Sequence, residues 1–459
     1  MPRRLRPALH VQTSIDRKPP SAGAIAYDGA RSDDTTMTSK TPSFANACGV
    51  DFGTSNSTVG WSRPGQQPLL ALEDGKTTLP SVVFFNADED AVYYGRAGLA
   101  NYLAGYEGRL MRSLKSLLGT SLIDGQTEVM GRALPFRDLL ALFHAELKQR
   151  AETAAGRSFD CAVLGRPVHF VDDDADADQL AEDTLAEIAT QAGYRHIDFQ
   201  YEPIAAAFAY EATISAEELV LVVDIGGGTS DFSLVRLSPA RAARPERHDD
   251  ILASAGVHIG GTDFDKYLSL SSVMPLLGFG TLMRNGSQVP SSPYFNLATW
   301  HTINLAYTQK AQAQLADLVR EAAQREPLER LQELVRERAG HWLALRMEEG
   351  KIALSEAGTF SLPLERLASA PALALTRSGF DVAIAHLVVR IEATVVNLLR
   401  DAGVAADAID TVFFTGGSSG VPLLREKISA LLPAARTVEG DLFGSIGAGL
   451  ALDAARKFG

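Results

Sequence analysis

A glycine triplet between two aspartates is the part of the chain best suited to chemistry. The stretch runs, in order, Asp224, Gly226, Gly227, Gly228, Thr229 and Asp231. Because glycine has no Cβ, backbone N–H groups in such a turn can approach a ligand closely and surround an anion. The flanking carboxylates repel phosphate, but they can hold a hydrated Mg²⁺ that neutralises phosphate oxygens. This combination favours a nucleoside triphosphate as the ligand.

The residues around the triplet predict a β-hairpin that positions these groups. Residues 219–223 are apolar, which is typical of a buried strand, and residues 232–237 predict a second strand. A dinucleotide-binding fold would need a helix after its glycine turn, and the stretch lacks the lysine-bearing phosphate loop G-x-x-x-x-G-K-[ST]. A tight hairpin that binds no ligand remains an alternative for this stretch taken alone.

A similar unit occurs near the start of the chain. Residues 47–50 are apolar and lead into a polar turn, after which residues 59–61 predict another strand. The turn contains Asp51, Gly53, Thr54, Ser55 and Asn56. Two hairpins of this kind in one chain suggest two similar halves that clamp one phosphate chain from opposite sides.

Two further segments carry charged candidates. Glu202 lies where a predicted strand gives way to a helix that begins at Pro203. Glu202 is either a functional carboxylate or a charge that stabilises the N-terminus of the helix through its dipole. Residues 109–118 predict a helix that carries Lys115.

Two more glycine turns precede predicted helices. Gly260 and Gly261 form the first, and Gly416 and Gly417 form the second, which Ser418 follows. The second turn comes after a predicted strand, but its glycine spacing does not match a dinucleotide motif. A glycine pair and a hydroxyl at the start of a helix suit the sugar and base of a nucleotide.

A predicted helix near residue 350 places three polar residues on one face. These residues are Glu348, Lys351 and Ser355, at helical spacing. An ion pair within the helix would by itself account for Glu348 and Lys351.

Composition narrows the class of protein. The 459 residues, 46% of them hydrophobic, are enough for two lobes with separate cores. The formal net charge of −13 argues against nucleic acid as the main ligand. Cys48 and Cys161 cannot form a disulfide framework and indicate a reducing, cytoplasmic compartment. By inspection, no apolar run reaches membrane-spanning length.

Residues 1–45 differ from the rest of the chain. They combine several arginines with proline, serine and threonine and show little apolar pattern, so they predict a disordered tail without a function. A basic targeting presequence and a true start at Met37 are alternatives.

Together, these motifs resemble the nucleotide-binding domain of the seventy-kilodalton heat-shock proteins, the Hsp70 family, within the actin and sugar-kinase superfamily. The resemblance covers about residues 47–457 and depends on residues 49–57, 201–207, 224–231, 257–265, 376–380 and 446–449. It implies an α/β, two-lobed actin-like fold of duplicated ribonuclease-H-like domains, with a nucleotide cleft between the lobes. Lobe I would comprise residues 46–216 and 441–459, and lobe II residues 217–440 with a helical insertion at about 270–350.

The resemblance also implies roles for single residues in binding and hydrolysing ATP. Lys115, Glu202 and Asp224 would be catalytic, and Asp51 and Asp231 would hold hydrated Mg²⁺. The residues implied to contact the nucleotide are Gly53, Thr54, Ser55, Asn56, Gly226, Gly227, Gly228, Thr229, Gly260, Gly261, Glu348, Lys351, Ser355, Gly416, Gly417 and Ser418. Such a reaction depends mostly on positioning and on charge stabilisation, which gives a cationic lysine a clear role.

The chain departs from the family pattern in three places. Ile352 and Gly420 stand where the family usually has arginines, so we expect weaker or less adenine-selective binding. The chain ends at Gly459 without the family's interdomain linker, peptide-binding domain or helical lid, so we expect a stand-alone relative.

These implications predict a chaperone-like ATPase with slow hydrolysis that acts as a nucleotide-dependent conformational switch. The predicted partners are ATP, ADP and proteins of the co-chaperone or exchange-factor kind, with neither nucleic acid nor a membrane among them. Two alternatives stay open, a small-molecule kinase of the same superfamily and an ATP-gated filament or scaffold protein.

Overall fold

The structure, a computed structural model, describes residues 46–171, 174–244, 246–367, 373–442 and 444–459. The predicted tail, residues 1–45, lies outside the described residues. The strands are β1 (Ala47–Phe52), β2 (Asn56–Gly60), β3 (Thr78–Pro80), β4 (Val82–Asn86), β5 (Ala91–Tyr94), β6 (Gly108–Arg112), β7 (Gln126–Val129), β8 (Arg132–Pro135), β9 (Cys161–Arg166), β10 (His196–Tyr201), β11 (Glu218–Ile225), β12 (Ser230–Leu237), β13 (Ile251–Val257), β14 (Thr359–Leu362), β15 (Leu373–Thr376), β16 (Thr411–Thr415) and β17 (Arg436–Glu439). The α-helices are α1 (Gly95–Leu103), α2 (Phe136–Ala155), α3 (Ala175–Gln191), α4 (Glu202–Glu211), α5 (Pro239–Ala242), α6 (Gly261–Ser272), α7 (Ser292–Ala298), α8 (Gln309–Glu321), α9 (Arg325–Arg336), α10 (Gly340–Glu356), α11 (Arg377–Asp401), α12 (Pro422–Leu431) and α13 (Ser445–Phe458).

Two five-stranded sheets share one topology. Their strand orders are β10-β9-β1-β2-β3 and β13-β12-β11-β16-β17. In each sheet the three strands that come first in the chain form an antiparallel meander. The two later strands run parallel to the first strand of that meander. Both predicted hairpins are therefore present, and each is the start of one copy of the same fold.

The apolar run before the glycine triplet reflects burial on both faces of β11. Leu221 and Val223 pack in the core of the second sheet, and Val220 and Val222 pack in a separate core that both sheets share. A strand covered on both faces reads as a continuous apolar run rather than as an alternating one.

Helices α4 and α13 contribute to the shared core between the sheets. That core includes Val163 of β9, Ile204 of α4 and Leu450 of α13. The two helices cross so closely that a Cβ on Gly449 would lie 1.8 Å from the carbonyl oxygen of Ala205. A larger residue at position 449 would therefore force the helices apart.

The predicted helix at residues 109–118 is wrong. Its first half is β6, which pairs with β4 in antiparallel register, and its second half is a single 3₁₀ turn, Leu114–Leu117. Ser113 separates the two parts with a φ of 60°. Pairing with the edge of β4 satisfies the backbone of residues 108–112, and this tertiary contact overrides the local pattern.

Helix α11 is long and apolar enough, by length and composition, to cross a membrane, with a mean hydropathy of 1.7 over 18 residues. Arg390 and Glu392 interrupt this segment, so it does not read as a continuous apolar run in the sequence. Eight of the 25 residues of α11 are buried in the second core, as in the core helix of a globular domain.

Candidate functional site

The turns of the two hairpins meet. A Cβ on Gly227 would lie 2.1 Å from Oγ of Ser55, which belongs to the turn between β1 and β2. A side chain at position 227 would therefore displace the hydroxyl of Ser55 in the opposite turn. The structure brings together the two turns that the sequence predicted to face each other.

Lys115 lies at the centre of the charged residues near these turns. Its Nζ donates to Oε1 of Glu202 at 2.5 Å, and both side chains are largely buried. Burial lowers the pKa of Lys115, but the neighbouring charges of Glu202 and Asp51 outweigh this effect, so the pKa lies above its ordinary value.

Three aspartates share this environment with Glu202. Burial, followed by repulsion from Glu202, raises the pKa of Asp51 to about 7. Burial also raises the pKa of Asp224 well above its usual range, with further contributions from Asp231, Glu202 and Asp51. The carboxylates thus lie close enough to oppose one another's ionisation, and one lysine does not balance them.

An excess of negative charge of this kind suits a hydrated divalent cation. The described residues contain no group of three or more His, Cys, Asp and Glu side chains that could hold a metal ion directly. Mg²⁺ usually keeps several waters and binds through one or two carboxylates, so Asp51 and Asp231 fit this mode. Thr229 donates to Oδ2 of Asp231 at 2.8 Å and orients that carboxylate.

The residues at the start of α6 form backbone hydrogen bonds with the glycine triplet. The backbone N–H of Gly261 donates to the carbonyl of Gly226 at 3.0 Å, and that of Thr262 donates to Gly227 at 2.8 Å. A Cβ on Gly260 would lie 2.6 Å from the nitrogen of Gly228. Gly260 and Gly261 therefore lie beside the triplet and fix its conformation.

The turn after β16 approaches the same place. Gly416 has a φ of 79°, and a Cβ there would lie 2.2 Å from Oδ1 of Asp224. The N–H of Ser418 donates to the carbonyl of Ile225 at 2.9 Å. Gly416, Gly417 and Ser418 thus form a turn directly beside the end of β11.

Helix α10 reaches the site through Lys351. Its Nζ bonds Oδ2 of Asp265 at 3.0 Å and the carbonyl of Gly261 at 3.2 Å. Ser355 donates to the carbonyl of Lys351. Lys351 thus lies against the start of α6, and its ion-pair partner, Asp265, is on that helix.

Glu348, on the same helix, connects the two halves of the molecule. Its Oε1 lies 3.8 Å from a guanidinium nitrogen of Arg112, the last residue of β6. The sequence left open an ion pair between Glu348 and Lys351 within α10. In the structure, each of these residues instead pairs with a residue outside the helix. The local pattern did not single out Arg112, because it lay inside the wrongly predicted helix and the pairing of residues 108–112 with β4 leaves no local signal in the sequence.

Comparison with known proteins gives the same result as the motifs. A family model described as Hsp70 protein matches residues 125–271 and 313–455. The chain is 29% identical over 431 residues to "Chaperone protein HscA" from Citrobacter koseri. It is 28% identical over 426 residues to the protein of the same name from Serratia proteamaculans. In both comparisons the alignment covers 89% of this chain and 58% of the relative, so the chain spans less than two thirds of the relatives' length. The chain belongs to the Hsp70 family and has its two-lobed, actin-like ATPase fold.

Proposed function

We propose that the chain binds Mg²⁺–ATP between its two sheets, hydrolyses the γ-phosphate slowly and acts as a nucleotide-dependent conformational switch. The observation that carries this proposal is the meeting of the two hairpin turns beside Lys115. Backbone N–H groups from two sides and one buried cation form a site for a phosphate chain. Membership of the Hsp70 family supports ATP as the nucleotide.

Each charged side chain of the site has a separate proposed role in hydrolysis. Asp51 and Asp231 would hold Mg²⁺ through its waters, and the ion, when bound, neutralises phosphate oxygens. Lys115, oriented by its bond of 2.5 Å to Glu202, is placed to stabilise charge on the transferring phosphoryl group. Glu202 and Asp224 would accept a hydrogen bond from the attacking water and orient it.

Replacement of Lys115 by alanine tests this assignment. We expect Lys115→Ala to lower the single-turnover rate of ATP hydrolysis by about 100-fold or more, because a buried charge-stabilising group is lost. Lys148→Ala is the matched control, since Lys148 pairs with Glu152 on α2. Rapid mixing of excess enzyme with labelled ATP measures the rate. A Lys115→Ala rate equal to that of the control would remove the lysine from the mechanism.

The proposed switch would act on other proteins. The matched relatives are named chaperones, and we propose that this chain likewise works with partners of the co-chaperone or exchange-factor kind. Cys48 and Cys161 are free and buried, which supports the cytoplasmic location that we propose. Mass spectrometry of the proteins that co-purify in ATP and in ADP tests this, and a partner set that does not change with the nucleotide would contradict it.

A further inference from the structure

Helix α11 exposes an apolar stripe on the side away from its core. Val382, Val389 and Val396 have 78%, 61% and 47% of their surfaces exposed. Ala385 and Ala393 lie between the valines and are exposed as well. Seven residues are close to two helical turns, so the stripe follows one side of the helix for about 21 Å. Single exposed apolar residues are common, whereas contiguous exposed apolar surface is characteristic of interaction sites.

The two flanks of the stripe carry opposite charges. At 100° per residue, Arg390 lies on one side of Val389, and Glu392 lies on the other. Arg390 is exposed and Glu392 is half-buried. The surface is therefore an apolar seam with one basic edge and one acidic edge.

We propose that this surface, the α11 stripe of residues 382–396, binds the α11 stripe of a second copy of the chain with the two helices parallel. In that orientation the basic edge of each helix faces the acidic edge of the other. Arg390 then lies within about 3 Å, measured along the helix axis, of Glu392 of the second copy, and the pair forms on both sides of the seam. Valine stacks on valine in three layers, as in a short coiled coil.

The same charges disfavour the other orientation. Antiparallel helices would bring Arg390 beside Arg390 of the second copy, and acidic edge beside acidic edge. Charged edges of this kind set partner orientation in paired helices. The observation that selects a second copy as the occupant is thus the complementarity of the two edges of one helix.

The contact is small. One pair of helices with three valine layers belongs to the weak class of interfaces, which bury less than about 1,200 Å² in total. We therefore expect a dissociation constant on the order of 100 μM. The stripe residues take no part in the proposed nucleotide site, so the association and the proposed hydrolysis can be tested separately.

Sedimentation equilibrium tests the contact at protein concentrations from about a tenth to ten times the expected dissociation constant. The wild-type protein should change from monomer to dimer over this range. Val389→Asp should weaken the dimer at least tenfold, because it places two carboxylates in the central layer. Leu180→Asp is the matched control, since Leu180 is 53% exposed on a different helix, α3, and this variant should dimerise like the wild type. Circular dichroism confirms that each variant is folded.

A charge swap tests the orientation. Arg390→Glu and Glu392→Arg should each weaken the dimer several-fold, and the double variant should recover wild-type affinity. A wild-type protein that stays monomeric throughout would overturn the proposal and assign the stripe to a different protein. Dimerisation that Val389→Asp leaves unchanged, or that a single charge reversal strengthens, would also overturn it.

Discussion

At the scale of residues, the site combines one buried lysine with more carboxylates than it can neutralise. The pKa of Asp51, raised to about 7 by burial and by Glu202, shows how far the carboxylates oppose one another. A bound cation removes that opposition, so we expect proton release to accompany binding of Mg²⁺.

The proposed base-binding end of the site yields a prediction about nucleotide selectivity. Ile352 is 53% exposed beside Lys351, and it offers the base no positive charge. Gly420 also lacks the cation that stacks on adenine in the family, so we expect ATP and GTP to bind with affinities within a few-fold of each other. Equilibrium titration with both nucleotides measures this, and a strong preference of the wild-type protein for ATP would contradict it.

Gly420→Arg should restore the preference for ATP. A Cβ there meets Leu442 Cδ1 at 3.5 Å, an ordinary contact, so the backbone accepts a side chain. A stacked guanidinium contributes about 1 kcal/mol, so affinity for ATP should rise several-fold. Gly358→Arg, where a Cβ meets nothing within 4 Å, is the control and should leave both affinities unchanged.

At the scale of elements, α1 and α10 join the two halves through a cluster of aromatic rings. The hydroxyl of Tyr102 lies 2.7 Å from Nδ1 of His341, and the two rings pack edge to face. Trp300 also packs edge to face on His341, and the guanidinium of Arg112 lies 4.5 Å from the centre of the Trp300 ring. These contacts, with the Arg112–Glu348 pair, hold the halves together.

We expect this cluster to slow nucleotide release. Tyr102→Phe removes the hydrogen bond and leaves the buried Nδ1 of His341 unpaired. This should reduce the free energy of the contact between the halves by about 1–2 kcal/mol. Release of a fluorescent ADP analogue, followed by stopped flow, should accelerate by about five- to twenty-fold. Tyr106→Phe is the control, because Tyr106 is 40% exposed. An unchanged release rate in Tyr102→Phe would show that the halves do not separate at this cluster.

At the scale of the whole molecule, each half buries a histidine. His144 packs edge to face on Phe52 in the first core, and neither of its ring nitrogens has a hydrogen-bond partner among the described residues. Burial lowers the pKa of His144 to about 4 and that of His341 to about 4. Both rings are therefore neutral in the folded protein at neutral pH.

Folding stability should consequently fall in acid. A histidine in the unfolded chain has a pKa of about 6.5, so the unfolded state binds the proton first as the pH falls. The stability present at pH 7 is lost between about pH 6.5 and about pH 4, by up to about 3 kcal/mol for His144. Urea unfolding at several pH values should show a shallower loss for His144→Leu than for the wild type. His169→Leu, at an exposed position, is the control, and equal slopes for both variants would contradict the prediction.

Motifs close together in the chain were predictable from the sequence. The hairpins around Asp51 and Asp224 follow from apolar runs that end in glycine turns, because strand burial and turn conformation depend on neighbouring residues. The helix that begins at Glu202 was predictable for the same reason. The family followed from the order of these motifs, and its model match confirms it.

Contacts between distant segments were decided by the tertiary structure. The segment that carries Lys115 is a strand followed by a single turn rather than a helix, because β4 supplies the hydrogen bonds of its backbone. The partner of Lys351 lies 86 residues away on α6, and the partner of Glu348 is the last residue of β6. The sequence by itself determined which residues could carry the chemistry. Which of them meet depended on how the two copies of the fold pack, because that packing joins segments that the chain keeps far apart.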